Sequence, residues 1–78
     1  MTTITINGEN KQIDNNTNIA QLLLSLDLAN KRLAVEINQQ IIPRSNFTSH
    51  ILNELDKVEI VQAIGGGSLQ NSSDLPNL

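Results

Sequence analysis

Cysteine is absent from this chain, so neither disulfides nor a thiolate metal site can support its fold, and no cysteine can act as a nucleophile. Tryptophan and tyrosine are missing as well. Phe47 is the lone aromatic residue, which removes the stacking platform used to hold single-stranded nucleic acids. The lone histidine, His50, stands among scattered carboxylates, whereas a zinc or iron site needs several ligands gathered together, so no bound metal or other cofactor is expected. Basic side chains are few: 5 against 8 acidic ones leave a net charge of −3, and Lys11, Lys31, Arg32, Arg44 and Lys57 form no dense tract, against a nucleic-acid footprint. The first residues, Met1-Thr2-Thr3-Ile4, carry no basic segment followed by a long apolar stretch, and no apolar run reaches membrane-spanning length. The expectation is a soluble, cytoplasmic protein, monomeric when free, that engages neither nucleic acid nor membrane. On that reading the glycosylation triplets at Asn15, Asn46 and Asn71 are chance matches in an Asn-rich chain. With 78 residues there is room for one small domain with a marginal core, and a large buried catalytic pocket is not expected.

What is present is a succession of short elements. Thr2-Thr3-Ile4-Thr5-Ile6 is β-branched throughout, Asn7-Gly8 is a type I′ hairpin signal, and Lys11-Gln12-Ile13 resumes an extended run. After the loop Asp14-Asn15-Asn16-Thr17, Asn18 followed three residues later by Gln21 has the form of a capping box, which places a helix start there. Ile19, Leu22, Leu23 and Leu26 then fall at i, i+3, i+4 and i+7, one apolar stripe. Leu24 lies off that stripe and reads either as a solvent-exposed leucine, the commoner case, or as part of a contact patch. Leu33-Ala34-Val35-Glu36-Ile37 alternates as a strand with one face on the core. Asn38-Gln39-Gln40 turns the chain, Ile41-Ile42 makes a brief return, and Pro43 closes it because proline cannot donate to a ladder. Phe47, Ile51, Leu52 and Leu55 are expected to anchor a short helical or irregular stretch before the last strand, 58–64. A hairpin, a crossing helix and a returning C-terminal strand make an α+β, ubiquitin-like β-grasp: a mixed sheet of four or five strands crossed by one main helix.

Directly after that strand come Gly65-Gly66-Gly67. Without Cβ atoms they can extend and thread a passage too narrow for other residues. Most glycine runs are linkers, and alone this one would be read so. Residues 68–78 are rich in Ser, Asn and Pro, too polar to pack by themselves, and read as a disordered extension of a domain spanning 1–67.

Two blocks change the weight of the glycines. Ala34-Val35-Glu36-Ile37-Asn38-Gln39-Gln40-Ile41-Ile42-Pro43-Arg44 and, after it, Val58-Glu59-Ile60-Val61-Gln62-Ala63-Ile64-Gly65-Gly66-Gly67 closely resemble the sulfur-carrier proteins of bacterial thiamine thiazole biosynthesis, the ThiS-like branch of the β-grasp proteins. The similarity covers residues 2–67. It implies that the Gly67 carboxylate is adenylated with ATP by a partner enzyme, is converted to a thiocarboxylate, and donates its sulfur to thiazole synthase. Gly65, Gly66 and Gly67 would occupy the partners' channels, and Arg44 and Ile64, inside the two blocks, are candidate partner contacts. No Walker-type loop and no nucleophile–base pair is present, so the chain reads as a protein co-substrate and not an enzyme, with ATP used by the partner.

The chain departs from the family pattern twice. Members commonly carry a glycine in the turn before the last strand, where this chain has Asn53-Glu54-Leu55-Asp56. If that turn needs φ > 0, Leu55 is strained there, so either its backbone path differs or its side chain offsets the cost by packing. Secondly, with Ser68 attached the Gly67 carbonyl is an amide and cannot be adenylated as a carboxylate. Removal by a processing protease, loss of the carrier role, and an artificial extension are the three explanations, processing being ranked first. For single side chains the plain reading leads: Asp56 and Glu59 as a solvated face that can also steer a basic partner, His50 without a catalytic task, Arg44 as a turn residue. Two alternatives stay open beside the thiazole carrier: a sulfur carrier of the molybdopterin synthase small-subunit type, and a ubiquitin-like docking module that never carries sulfur.

Overall fold

The computed structural model describes residues 1–62; Ala63, Ile64, Gly65, Gly66, Gly67 and residues 68–78 lie outside the described residues. Its elements are β1 (Thr2–Ile6), β2 (Glu9–Ile13), α1 (Ile19–Ser25), β3 (Leu33–Ile37), β4 (Gln40–Ile42), one 3-10 turn (Arg44–Asn46) and β5 (Lys57–Gln62). The strands form one five-stranded sheet in the order β2-β1-β5-β3-β4. Only β1 and β5 run parallel; β1–β2, β3–β4 and β3–β5 are antiparallel. This is the mixed sheet with one helix expected of the chain.

Local chemistry explains most boundaries. Asn7 (φ 50) and Gly8 (φ 89) both take left-handed backbone, as a type I′ turn requires to match the twist of the strands it joins. The second hairpin uses the same device with Asn38 (φ 52) and Gln39 (φ 71), so the expected three-residue turn is one shorter: Gln40 already pairs with Ile37. At the helix start the capping box is complete, with Asn18 Oδ1 accepting from Gln21 N at 2.7 Å and Gln21 Oε1 from Asn18 N at 2.9 Å. The helix ends without glycine. Asp27 takes φ 61, its N–H bonds the Leu24 carbonyl (3.1 Å), and the Leu28 N–H reaches back to the Leu23 carbonyl (2.8 Å), the paired bonds of a Schellman motif. Leu26 and Leu28 then pack against the core.

The helix lies on the face of the sheet that carries Ile4, Val35, Ile37, Val58 and Ile60, and with Leu33 these close over Ile19, Leu22 and Leu23. Ile4, Ile19, Leu22, Leu33, Val35 and Val58 are essentially solvent-free. From the 47–55 stretch only Phe47 and Leu52 join them. Ile51 and Leu55, expected as anchors, are exposed: Ile51 forms an isolated bridge with Asn18, and Leu55 points to solvent. Leu24 is exposed as well, the commoner of its two readings.

Two further expectations are corrected in the turn before β5. Leu55 takes φ 69, so the turn does need left-handed backbone, and its side chain is 73% exposed, so packing does not offset the strain. Hydrogen bonds hold the turn instead: the Leu55 N–H donates to the Thr3 carbonyl (2.7 Å) and the Asp56 N–H to that of Asn53 (3.1 Å). Asp56 is not part of a solvated face. It is 7% exposed, with Oδ1 accepting from Asn38 Nδ2 (3.0 Å) and Oδ2 from the Asn53 N–H (2.8 Å), so it ties the β3–β4 turn to the start of β5. A carboxylate in this position is kept by its donors.

Replacing Leu22 with alanine is expected to cost about 2–5 kcal/mol through lost burial and the cavity left beneath α1, a large fraction of a small domain's stability. Urea or thermal melts that superimpose on those of the parent would disprove the core assignment. Leu55→Gly is expected to act in the opposite direction. Left-handed backbone costs a non-glycine residue about 1–2 kcal/mol, part of which glycine returns as unfolded-state entropy, so a net gain of about 1 kcal/mol should appear as a raised melting temperature. A lowered one would show that the exposed leucine contributes something its surroundings do not reveal.

Candidate functional site

The candidate site is the end of the sheet at which β5 leaves it. β5 lies between β1 and β3, and its core-facing side chains, Val58 and Ile60, are buried under the helix. Its final residue, Gln62, pairs with Leu33 at the beginning of β3. Regular pairing with β1 ends at Val58 and pairing with β3 continues to Gln62, so the last described residue of β5 is held in register by β3.

The same end collects positive charge that the sequence leaves scattered. Val35 pairs with Ile42, so chain continuing past Ile42 heads toward Leu33 and hence toward the β5 exit. Pro43, in extended backbone, ends β4 and launches the 3-10 turn. Arg44 then folds back: Nη2 donates to the Lys31 carbonyl at 3.3 Å and the guanidinium lies 5.8 Å from the centroid of the Phe47 ring. Lys31 and Arg32 immediately precede Leu33, and all three basic residues are exposed. Three of the chain's 5 basic side chains thus border the exit. Beside them a shallow groove of about 220 Å³ is lined by Ala20, Leu23, Ala29, Arg44, Phe47 and Thr48.

The open face of the sheet, away from the helix, carries Glu36 and Glu59, with Lys57 on the same face of β5. Glu36 and Glu59 are direct cross-strand partners there, and like charges directly opposite disfavour a pair. Exposed Ile41 pairs with Glu36, and exposed Val61 pairs with Ala34. Glu59 therefore does stand on a solvated face, whereas Asp56 does not.

Of the residues singled out in the sequence, Gly65, Gly66, Gly67 and Ile64 lie outside the described residues, and Arg44 stands at the strand exit. His50 is half-buried, and its backbone carbonyl accepts from the Ile19 N–H at 3.2 Å. Among the described residues no group of three or more His, Cys, Asp or Glu is placed to hold a metal. No described helix is long and apolar enough to cross a membrane. The grouping of Lys31 and Arg32 with Arg44 was not read from the sequence. Strand register creates it, and the only sequence signal was the position of Lys31 and Arg32 directly ahead of the alternating run 33–37.

Known proteins place this geometry. The model of the ThiS family matches residues 4–67. The sulfur carrier protein ThiS of Escherichia coli is 34% identical over 64 residues, covering 82% of this chain and 97% of that protein. A thiazole synthase of Paramagnetospirillum magneticum is 39% identical over 70 residues; the match takes in 90% of this chain but only 22% of that much longer protein. Among solved structures, that of the thiamine biosynthesis protein ThiS from Geobacter metallireducens superimposes with a TM-score of 0.73 at 29% identity, over 85% of this chain and 100% of that one.

Proposed function

This chain belongs to the ThiS family of sulfur carriers, and from that premise we propose that it supplies the sulfur of the thiazole ring in thiamine biosynthesis from a thiocarboxylate built on Gly67. The observation that carries the reading is the extent of the family match, which runs from β1 through the three glycines and stops at residue 67. The geometry supports it: a carrier needs a reactive end on a positioned stem, and β5 is such a stem.

The chemistry requires activation from outside. A carboxylate is a poor electrophile. When a Gly67 carboxylate oxygen attacks the α-phosphorus of ATP, pyrophosphate leaves and the acyl carbon acquires AMP as a leaving group. Hydrosulfide supplied by a sulfur donor then attacks that carbon, the C–O bond to AMP breaks so that AMP leaves, and loss of the S–H proton gives the thiocarboxylate; a persulfide nucleophile instead gives an acyl disulfide, whose S–S bond a second thiol cleaves to release the thiocarboxylate and form a disulfide. A separate adenylating enzyme performs these steps, since nothing in the chain resembles an ATP-binding loop. The bare backbone of Gly65, Gly66 and Gly67 offers main-chain hydrogen bonds inside a narrow channel, while Arg44 and Ile64 contact the channel mouth.

Thiazole synthase is the proposed acceptor. A segment like this chain makes up about a fifth of the P. magneticum protein of that name, which puts a carrier-like segment and that name on one polypeptide. Residues 68–78 are proposed to be removed by a protease before adenylation, because an amide at Gly67 offers no carboxylate oxygen to ATP.

Intact-mass spectrometry with an adenylating enzyme, ATP and a sulfur donor tests this. The form ending at Gly67 should gain the mass change of one oxygen replaced by sulfur, and the full-length chain should not. Failure of the shortened form with an enzyme active on another carrier would favour the docking-module reading, and modification at Gly67 with residues 68–78 attached would overturn the mechanism. Gly66→Val in the shortened form should leave the melting temperature unchanged and block sulfur loading, because a branched side chain obstructs a channel fitted to backbone. Normal loading of that variant would remove the steric argument.

A further inference from the structure

The hairpin turn next to β5 carries a pair of hydrogen bonds that the ladder does not account for. The Thr5 N–H donates to the Asp56 carbonyl (3.0 Å) and the Asn7 N–H to the Val58 carbonyl (2.8 Å), a parallel ladder advancing by two residues on each strand. Continued by one step, it would have Ile60 donate to the main-chain carbonyl of residue 7 and accept from the main-chain N–H of residue 9. The turn at Asn7-Gly8 prevents this, because the chain reverses there and residue 9 already belongs to β2, paired with Ile6. The side-chain amide of Asn7 stands in for the missing peptide group. Oδ1 accepts from the Ile60 N–H (2.8 Å) and Nδ2 donates to the Ile60 carbonyl (3.2 Å). An amide side chain offers a carbonyl acceptor and an NH2 group, one of whose two donors serves here as a peptide N–H would, and asparagine also tolerates the φ of 50 that the turn demands.

We infer that Asn7 is a positioning residue for the carrier's last strand: by replacing a strand residue it extends the two-sided clamp on β5 to Ile60, two residues before Gln62, and so holds the stem to which the sulfur-carrying segment is attached. The inference deepens the sulfur-carrier reading and rests on it for its functional half. Its structural half, the lock on Ile60, stands by itself.

Three variants separate the lock from the turn. Asn7→Gly keeps the left-handed backbone and removes the amide. Asn7→Asp keeps the acceptor but sets a carboxylate oxygen against the Ile60 carbonyl in place of the donor. Gly8→Ala strains the turn at φ 89, where the added Cβ would meet nothing within 4 Å, and leaves the Asn7 amide in place. Amide hydrogen exchange on the full-length proteins reads the lock. In Asn7→Gly the Ile60 amide should exchange about tenfold faster, the factor set by losing a hydrogen bond of ordinary net strength, while Val35 and Leu22 change less. Asn7→Asp should fall nearer the parent at that amide. Steady-state sulfur loading, on the form of the protein that accepts sulfur, reads the positioning: Asn7→Gly should lower kcat and leave KM for the carrier unchanged, and Gly8→Ala should lower neither.

Exchange at Ile60 equal to the parent, or accelerated only as much as across the whole sheet, would overturn the lock. A loss of kcat in Gly8→Ala matching that in Asn7→Gly would overturn the positioning role. If the parent takes no sulfur in either form, the carrier reading fails and the functional half of this inference with it, and the Ile60 exchange rate decides the lock.

Discussion

The parallel pairing of the first strand with the last is the constraint from which the other arrangements follow. It is short, with only Thr5 opposite Lys57 and Ile6 opposite Val58 in regular register, yet it puts β5 in the middle of the sheet. The chain reinforces it from both directions. Upstream of β5, the Leu55 N–H reaches the Thr3 carbonyl, the Glu54 carboxylate accepts from the Thr3 N–H, and buried Asp56 holds both the Asn53 N–H and the Asn38 side chain. Downstream, Asn7 spans to Ile60. With those ends fixed, Val58 and Ile60 face Leu22 and Leu23 across one core, under a helix of about two turns.

The parts of this fold that were legible in the sequence are those decided within a few residues. Asn7-Gly8, the Asn18/Gln21 box, the alternation over 33–37 and the stripe from Ile19 to Leu26 each carry their cause locally, and each has its expected place. The misreadings share a different character. An apolar Leu55 reads as a packing residue, but it takes left-handed backbone in a turn held by the bond from its N–H to the Thr3 carbonyl, whatever its side chain. A charged Asp56 reads as a solvent residue, but its donors come from Asn38 and Asn53, one of them 18 residues away. The helix stop went unmarked because Asp27 occupies a position usually held by glycine. In a chain with 4 glycines, three of them in one run, asparagine and aspartate take over most of the left-handed positions in the described turns. Of the candidate site, Arg44 was named from a sequence block, and only strand register shows what it stands beside.

Charge is sorted by region even though the total is small. The exit of β5 is bordered by Lys31, Arg32 and Arg44, while the open face of the sheet carries Glu36 against Glu59 between exposed Ile41 and Val61, with Lys57 at the far end of β5. A surface divided in this way presents different faces to different partners, and fields of opposite sign steer encounters into preferred orientations at low salt. Such a division lets orientation be set before close contact with a partner.

The central position of β5 also bears on how the chain reaches its folded state during synthesis. Strands made first in this protein cannot complete a sheet among themselves: β1 with β2 is an isolated hairpin, β3 with β4 is another, and two-stranded hairpins are marginal in water. The segment that joins them is made last, and its pairing with β1 closes a loop of some fifty residues. A nascent chain therefore remains uncommitted, without a finished core, until residue 62 is available. A chain cut short before β5 lacks the strand that joins its two hairpins, and with it the stem that precedes the glycines.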